Sequence, residues 1–272
     1  MGAFGVVYPF QTSSGSDEWV IKHILAKDPT VFHDHLQEVV IGFSNTHPAT
    51  LKTEGYCIQT IGKTNASNLF IKMPRMKESL RQIICNHAQN NTFFAREEVI
   101  RYFYSLSTGL EYLESKSIAH RDVKPDNILL DQDGGIKLSD FGSSFLVSPG
   151  NNLHEVVGTR FYMAPELIDM KIRLKDEVSF KSDVWSLGIT MLLVCLIKVE
   201  GKTVEERVSR LESDLALVKR RYGSKLANML RKLLSTDYEQ RPSFKEISHQ
   251  LREIYPDILV LYINMIFDFI GQ

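Results

Sequence analysis

The stretch IAHRDVKPDNILL, Ile118 to Leu130, sets His120, Arg121, Asp122, Lys124, Asp126 and Asn127 between apolar flanks. A short way on, SDFG puts Asp140 directly before Phe141 and Gly142. Either piece alone reads as a charged surface turn. In this order and this close together, carboxylates, an amide and a lysine mark a site. At the start of the chain, MGAFGVVY spaces Gly2 and Gly5 as in a loop that lets backbone approach a phosphate. Two glycines by themselves are more often only a turn, so the meaning of that loop rests on the rest of the chain.

Taken together, these residues resemble the eukaryotic protein kinases, whose signature includes His-Arg-Asp-x-Lys-Pro-x-Asn followed by Asp-Phe-Gly. Further landmarks follow in order: Ala164-Pro165-Glu166 in MAPEL, SDVWSLG from Ser182 to Gly188, and Arg241-Pro242-Ser243. The likeness runs from Gly2 to about Ile254, and Lys124 is similar to the serine/threonine type rather than the tyrosine type. It implies an α+β, two-lobed fold over residues 1–254, with a small β-rich lobe to residue 74, a larger helical lobe from 75, and an apolar tail over 255–272. The implied reaction moves the γ-phosphoryl group of ATP, with Mg²⁺, to serine and threonine hydroxyls of protein substrates. Catalysis of that kind is mainly positioning and charge neutralisation. The resemblance gives Asp122 the proton of the substrate hydroxyl and Lys124 the charge on the moving phosphoryl group. Asn127 and Asp140 become the oxygen ligands of Mg²⁺. His120 and Phe141 become structural, packing on each other.

The elements that must position these groups can be read outward from them. GVVYPF and EWVIKHIL are β-branched and aromatic, separated by the polar QTSSGSD, as in hairpin strands. DHLQEVVIGF reads as a helix that ends before His47-Pro48, because proline disfavours helix in the residue before it. YCIQTI and NLFIKM read as two more strands, and beyond Lys77 apolar residues recur at helical spacing, as in REEVIRYFYSLSTGLEYL. The join between a β-rich and a helical part falls near Pro74-Arg75. By resemblance, WVIKHI supplies a strand lysine, Lys22, and DHLQEVV its partner, Glu38; Asp34 is the alternative carboxylate, but fits the His-Pro spacing less well. Gly2 and Gly5 then match the last two glycines of the phosphate loop, and the first glycine and its strand fall before Met1. The sequence is thus expected to be an N-terminally shortened form of a longer chain, its next strand an open sheet edge. Adenine is expected between Val7 and Val20 above and Leu129 below. Met73 guards the back of that pocket, and the Pro74 carbonyl and Met76 N–H offer hydrogen bonds.

Two departures from the family pattern stand out. Val20 replaces the usual alanine, and Gly42 stands one turn after Glu38, where kinases place a leucine packing toward the Phe of Asp-Phe-Gly. A glycine inside a helix costs roughly 1 kcal/mol relative to alanine, and Thr53 takes another position that is usually apolar. A loosely seated helix with a packing gap is therefore expected. Arg121 implies regulation by phosphorylation of the following segment, with Ser143, Ser144, Ser148 and Thr159 as acceptors. Ser148 is preferred; Thr159 is expected instead to touch Asp122 and Lys124. Glu166 with Arg241 resembles a buried ion pair, and Asp183 an anchor for the catalytic loop.

The bulk numbers narrow the alternatives. The chain has 272 residues, is 43% hydrophobic and 24% charged, and carries a net charge of −1, which argues against a broad electrostatic grip on nucleic acid or anionic membrane. Three scattered cysteines, Cys57, Cys85 and Cys195, suit a reducing compartment, and Cys195 lies in an apolar run. WSLGITMLLVCLI is too short to span a bilayer, and ILVLYINMIFDFI is interrupted by Asn264 and Asp268. A cytoplasmic or nuclear location is expected, with no membrane span. Beyond protein substrates, an activating kinase or docking partner fits the resemblance. The competing reading is a pseudokinase or scaffold; it meets the difficulty that Lys22, Asp122, Asn127 and Asp140 are all present. A small-molecule phosphotransferase fits poorly beside Ala164-Pro165-Glu166.

Overall fold

The computed structural model describes residues 5–10, 18–62, 65–147, 157–168 and 176–260, with backbone only at 29–31, 33–34 and 176–177. Gly2, Ser148 and the last twelve residues, 261–272, lie outside that description, as does the side chain of Asp34. The small lobe holds β1 (Val6–Phe10), β2 (Trp19–Ala26), α1 (Pro29–Ser44), β3 (Gly55–Thr60) and β4 (Ser67–Pro74). Its four strands form one antiparallel sheet in the order β1-β2-β4-β3, so β1 and β3 are its edges.

Strand periodicity decides which residues this sheet turns inward. Along β2, Lys22, Ile24 and Ala26 are buried at every second position. Opposite them on β4 stand Ile71 and Leu69, and Val39 from α1 closes a small core over Ile24, Leu69 and Ile71. Lys22 is therefore delivered to the helix-covered face by the same alternation that buries its apolar neighbours.

The larger part begins with β5 (Glu78–Ser79), α2 (Leu80–Asn90) and α3 (Arg96–Ser115). Then come β6 (Ile118–Ala119), β7 (Ile128–Leu130), β8 (Ile136–Leu138) and β9 (Phe145–Leu146). The helices α4 (Pro165–Ile168), α5 (Asp176–Leu196), α6 (Val204–Tyr222), α7 (Ser224–Leu233) and α8 (Phe244–Ile254) complete it. A single core joins α3, α5, α7 and α8 with the β6–β8 region; Leu106, Leu113, Leu187, Leu230 and Leu251 are all essentially inaccessible. The apolar run around Trp185 belongs to a longer helix than its sequence suggests. Val178–Leu196 is long and apolar enough to cross a membrane, but 89% of that segment is buried inside the fold. Cys195 is buried, as expected.

The end of α1 corrects an expectation. Gly42 leaves no gap: it is buried, and a β-carbon built there would overlap Thr53 Oγ1 and lie 3.2 Å from Thr53 Cβ. The Thr53 N–H donates to the Gly42 carbonyl at 2.9 Å. The two unusual residues are complementary, the threonine filling the space where the glycine lacks a side chain. Gly42→Leu is therefore expected to destabilise the protein by about 1–3 kcal/mol through overpacking. Urea unfolding checks this. A Gly42→Leu variant as stable as the parent, or one that Thr53→Ala fails to relieve, would overturn the close-contact account.

Beyond α1 the chain turns at His47-Pro48 and crosses to the large lobe. Leu51 N–H donates to Leu138 O and Leu138 N–H to Ala49 O, both at 2.8 Å. The turn uses a neutral histidine: Ala49 N–H donates to His47 Nδ1 at 3.1 Å, which requires that nitrogen to be bare. Burial, with Lys137 nearby, pushes the His47 imidazole down to about 4. A histidine lowered in the folded state contributes stability that is whole above its ordinary value near 6.5 and lost as pH falls toward 4. About 2 kcal/mol is expected to disappear over that window, allowing for partial exposure. In His47→Asn the amide oxygen can take the Ala49 N–H, so this component should flatten. Urea midpoints at pH 7 and 4.5 that fall equally in both proteins would refute the assignment.

Candidate active site

A hairpin brings the metal-ligand candidates together. Ile128 pairs with Leu138 across β7 and β8, and Ser139 N–H donates to Asn127 O at 2.8 Å. Asn127 enters the hairpin and Asp140 leaves it, so residues thirteen positions apart end side by side.

Asp122 is held from three directions. Its Oδ2 accepts from Lys124 Nζ at 2.6 Å and Asn127 Nδ2 at 3.0 Å, and its Oδ1 accepts from Thr159 N–H at 2.9 Å. Lys124 Nζ also donates to Thr159 Oγ1 at 2.7 Å, so Thr159 touches both residues as its sequence position suggested. Burial opposes ionisation of Asp122, but Lys124 and Thr159 outweigh it and hold the carboxyl below the usual carboxylate range.

The loop carrying Asp122 is pinned from below. Buried Asp183, on α5, accepts His120 N–H at 2.7 Å and Arg121 N–H at 2.8 Å. Burial pushes its carboxyl up to about 7, against the pull of those two N–H groups. The anchor matters because Arg121 has φ 64°, a left-handed conformation that costs a non-glycine residue of order 1 kcal/mol. His120 is fully buried. Its Nδ1 accepts Asp122 N–H and its Nε2 donates to Ser139 O at 3.1 Å, which fixes the neutral Nε2–H form. Burial lowers its pKa in the same direction. Its ring meets Phe141 edge-on at 5.5 Å, the structural pairing expected of both.

On the small-lobe side, Lys22 Nζ reaches Glu38 Oε1 at 2.5 Å and Asp140 Oδ1 at 2.9 Å. Burial works against the Lys22 charge, but the two carboxylates together raise its pKa. Burial likewise opposes the Glu38 charge, yet His35 and Lys22 hold that carboxyl below its usual range. Asp140, at φ 65°, is a second left-handed residue beside the site.

The strand register also gathers the proposed adenine-pocket residues. Val7 stands opposite Lys22 and Val20 opposite Met73, and directly opposed residues share a sheet face. Val7, Lys22, Val20 and Met73 therefore look to the same side. Leu129 alternates with buried Ile128 and Leu130, so it turns away from their core and is half-buried. In the connector, Arg75 N–H donates to Glu18 O and Lys77 N–H to Leu130 O. Among the described residues the Met76 N–H between them has no protein acceptor. Gly5, at φ 65°, abuts the backbone of His23, and β1 beyond it is exposed throughout.

Some features were not legible beforehand. Gly158 has φ 114°, and a β-carbon there would strike the Arg121 carbonyl; only glycine lets Thr159 approach Asp122 so closely. Arg81 ties Asp126 to the Tyr162 hydroxyl, across residues far apart in sequence. The acceptor set also changes: Ser144 is buried, and Arg121 donates from Nε to Ser143 O at 2.7 Å while covering the Phe145 ring. The Glu166–Arg241 pair is present and bidentate, at 2.7 and 2.8 Å.

Comparison with known proteins agrees with this geometry. The protein kinase domain family matches residues 1–251. The chain belongs to the protein kinase family. Similar proteins include mouse serine/threonine-protein kinase Nek4, 32% identical over 166 residues, or 60% of this chain and 20% of the relative. Human serine/threonine-protein kinase 32B is 33% identical over 58% of this chain and 39% of its own length. Human serine/threonine-protein kinase Nek5 is 26% identical over 90% of this chain and 34% of its own length. The matched stretches thus cover less than half the length of each of these relatives.

Proposed function

We propose that this kinase domain transfers the γ-phosphoryl group of ATP to serine and threonine hydroxyls of proteins, with Mg²⁺. One arrangement carries the reading: Lys22 joins Glu38 to Asp140 while Lys124, Asn127 and Thr159 hold Asp122.

The donor set fits magnesium. The Asn127 amide nitrogen is committed to Asp122, which leaves its oxygen as the ligand atom. Asp140 engages Lys22 through Oδ1, and Oδ2 makes no protein hydrogen bond among the described residues. Two oxygen donors suit a cation that keeps several waters and takes phosphate oxygens as ligands. Bound between Asn127 and Asp140, Mg²⁺ would neutralise phosphate charge.

The protein groups supply the remaining work. Lys22, fixed by Glu38, presents its ammonium to phosphate. The Met76 N–H and Pro74 carbonyl hold the adenine edge, with Val7, Val20 and Leu129 on its faces and Met73 behind. Asp122, ionised at neutral pH, orients the acceptor hydroxyl and takes its proton as the oxygen gains acidity during transfer. Lys124 sits against that carboxylate and offsets charge at the transferring group. A scaffold without phosphotransfer is disfavoured because Lys22 contacts both Glu38 and Asp140, and Asp122 contacts Lys124 and Asn127.

Labelled ATP offered with Mg²⁺ and peptides carrying serine, threonine or tyrosine tests the reading. Transfer to serine and threonine, stopped by a chelator, is expected. Nucleotide binding without transfer to any peptide would favour the scaffold.

A further inference from the structure

A cleft of 730 Å³ runs from Asp140, Asn127 and Lys124 past Phe161 to Ile197 and Val199. It opens where an acceptor hydroxyl must arrive, so a substrate segment lying along the large lobe has to occupy it. Its floor is partly apolar, but its charged groups are arranged unequally.

Among the described residues, the carboxylates that line the cleft, Asp126 and Asp140, each have a protein cation, as do Asp122 and Glu200 beside it. Asp126 is engaged by Arg81 at 3.1 Å, Asp140 by Lys22 at 2.9 Å, and Asp122 by Lys124 at 2.6 Å. At the far end Glu200 accepts both Lys198 at 3.1 Å and Arg210 at 3.0 Å. The cations differ. The Lys198 side chain is 78% exposed against 52% for its partner Glu200; Arg81 is 38% exposed beside an Asp126 at 47%, but Arg81 Nη1 makes no hydrogen bond among the described residues. Arg160, exposed next to Thr159, has no ion pair among the described residues, although Glu205 lies near enough to feel its charge. A basic substrate side chain must share a carboxylate that a protein cation already holds. A substrate carboxylate meets an exposed Lys198, an Arg160 outside any described ion pair and an Arg81 with one amino group unbonded.

We propose that this cleft selects acceptor segments flanked by acidic residues, with Arg81, Arg160 and Lys198 as the residues that set the preference. The proposal rests on the kinase reading for its substrate and on the cleft's charge for its sign. An exposed ion pair contributes up to about fivefold, so two or three acting together give an expected preference of about tenfold. Salt should narrow it, because such pairs are screened.

The test uses serine peptides in one apolar frame, flanked by glutamates or by lysines. Matching peptides with alanine in place of the serine report binding by fluorescence anisotropy. The glutamate peptides are expected to exceed the lysine peptides about tenfold in kcat/KM and in affinity. Lys198→Glu and Arg160→Glu, at exposed positions, should each reduce the ratio several-fold, and combined with Arg81→Glu should reverse it. Equal use of the two series, or preference for lysine, overturns the proposal. Absence of transfer to every peptide defeats the kinase reading instead, and the alanine peptides still decide the charge preference.

Discussion

Asp122→Asn lowers phosphate transfer by about a thousandfold, the range expected when a positioned proton acceptor is removed. The loss has two sources. An amide is no longer a base, and it cannot satisfy the site it inherits. In the parent, one carboxylate oxygen accepts Lys124 and Asn127 while the other accepts the Thr159 N–H. Whichever way the asparagine turns, its NH₂ meets a donor, so Thr159 or Lys124 must draw back. The nucleotide groups around Lys22 and Met76 are untouched, so ATP binding by thermal shift should stay within about twofold. Retention of more than a tenth of the parent rate would show that Asp122 is not the residue at the hydroxyl.

The largest stability effect should come from the far side of the domain. Arg241 is wholly buried and meets Glu166 through two bonds; it also donates to Ser235 O at 2.9 Å and Lys181 O at 2.9 Å, with Trp185 beneath its guanidinium. Among the described residues, Arg241→Met leaves Glu166 with only the Ser182 hydroxyl, at 3.1 Å, for a buried carboxylate. Stranding one partner of such a pair costs about 3–5 kcal/mol, whereas removing both costs less. Arg241→Met should therefore unfold at much lower urea than the parent, and adding Glu166→Gln should recover part of the loss. If the double variant is less stable than either single one, the two side chains are not coupled as described.

How far the sequence reveals this site depends on how far apart its pieces lie. Asp122, Lys124, Asn127 and Asp140 are legible because a loop and one hairpin carry them all. Lys22 and Glu38 are legible too, since strand alternation and the His47-Pro48 turn fix their register. Gly42 and Thr53 mislead: each alone is a weakness, and only their contact across two elements shows one compensating the other. Arg81, Asp126 and Tyr162 give no local signal, because they meet through the tertiary fold. The expectation that Ser144 is an available acceptor fails for a similar reason, as burial beneath the catalytic loop has no signature in a short polar run.

The contact between Gly42 and Thr53 also makes α1 a lever. Its last turn is fastened to the large lobe: Thr53 N–H bonds Gly42 O, the neighbouring strand segment bonds β8, and the Tyr112 hydroxyl donates to Ser44 O. That end is a fulcrum. At helical rise Glu38 lies only ~6 Å from it, whereas Pro29 lies ~20 Å away. A tilt that carries the start of the helix ~7 Å moves Glu38 by ~2 Å, enough to part it from Lys22. A force applied at the Pro29 end thus acts on the ion pair with a threefold mechanical advantage, by about the ratio of those two arms.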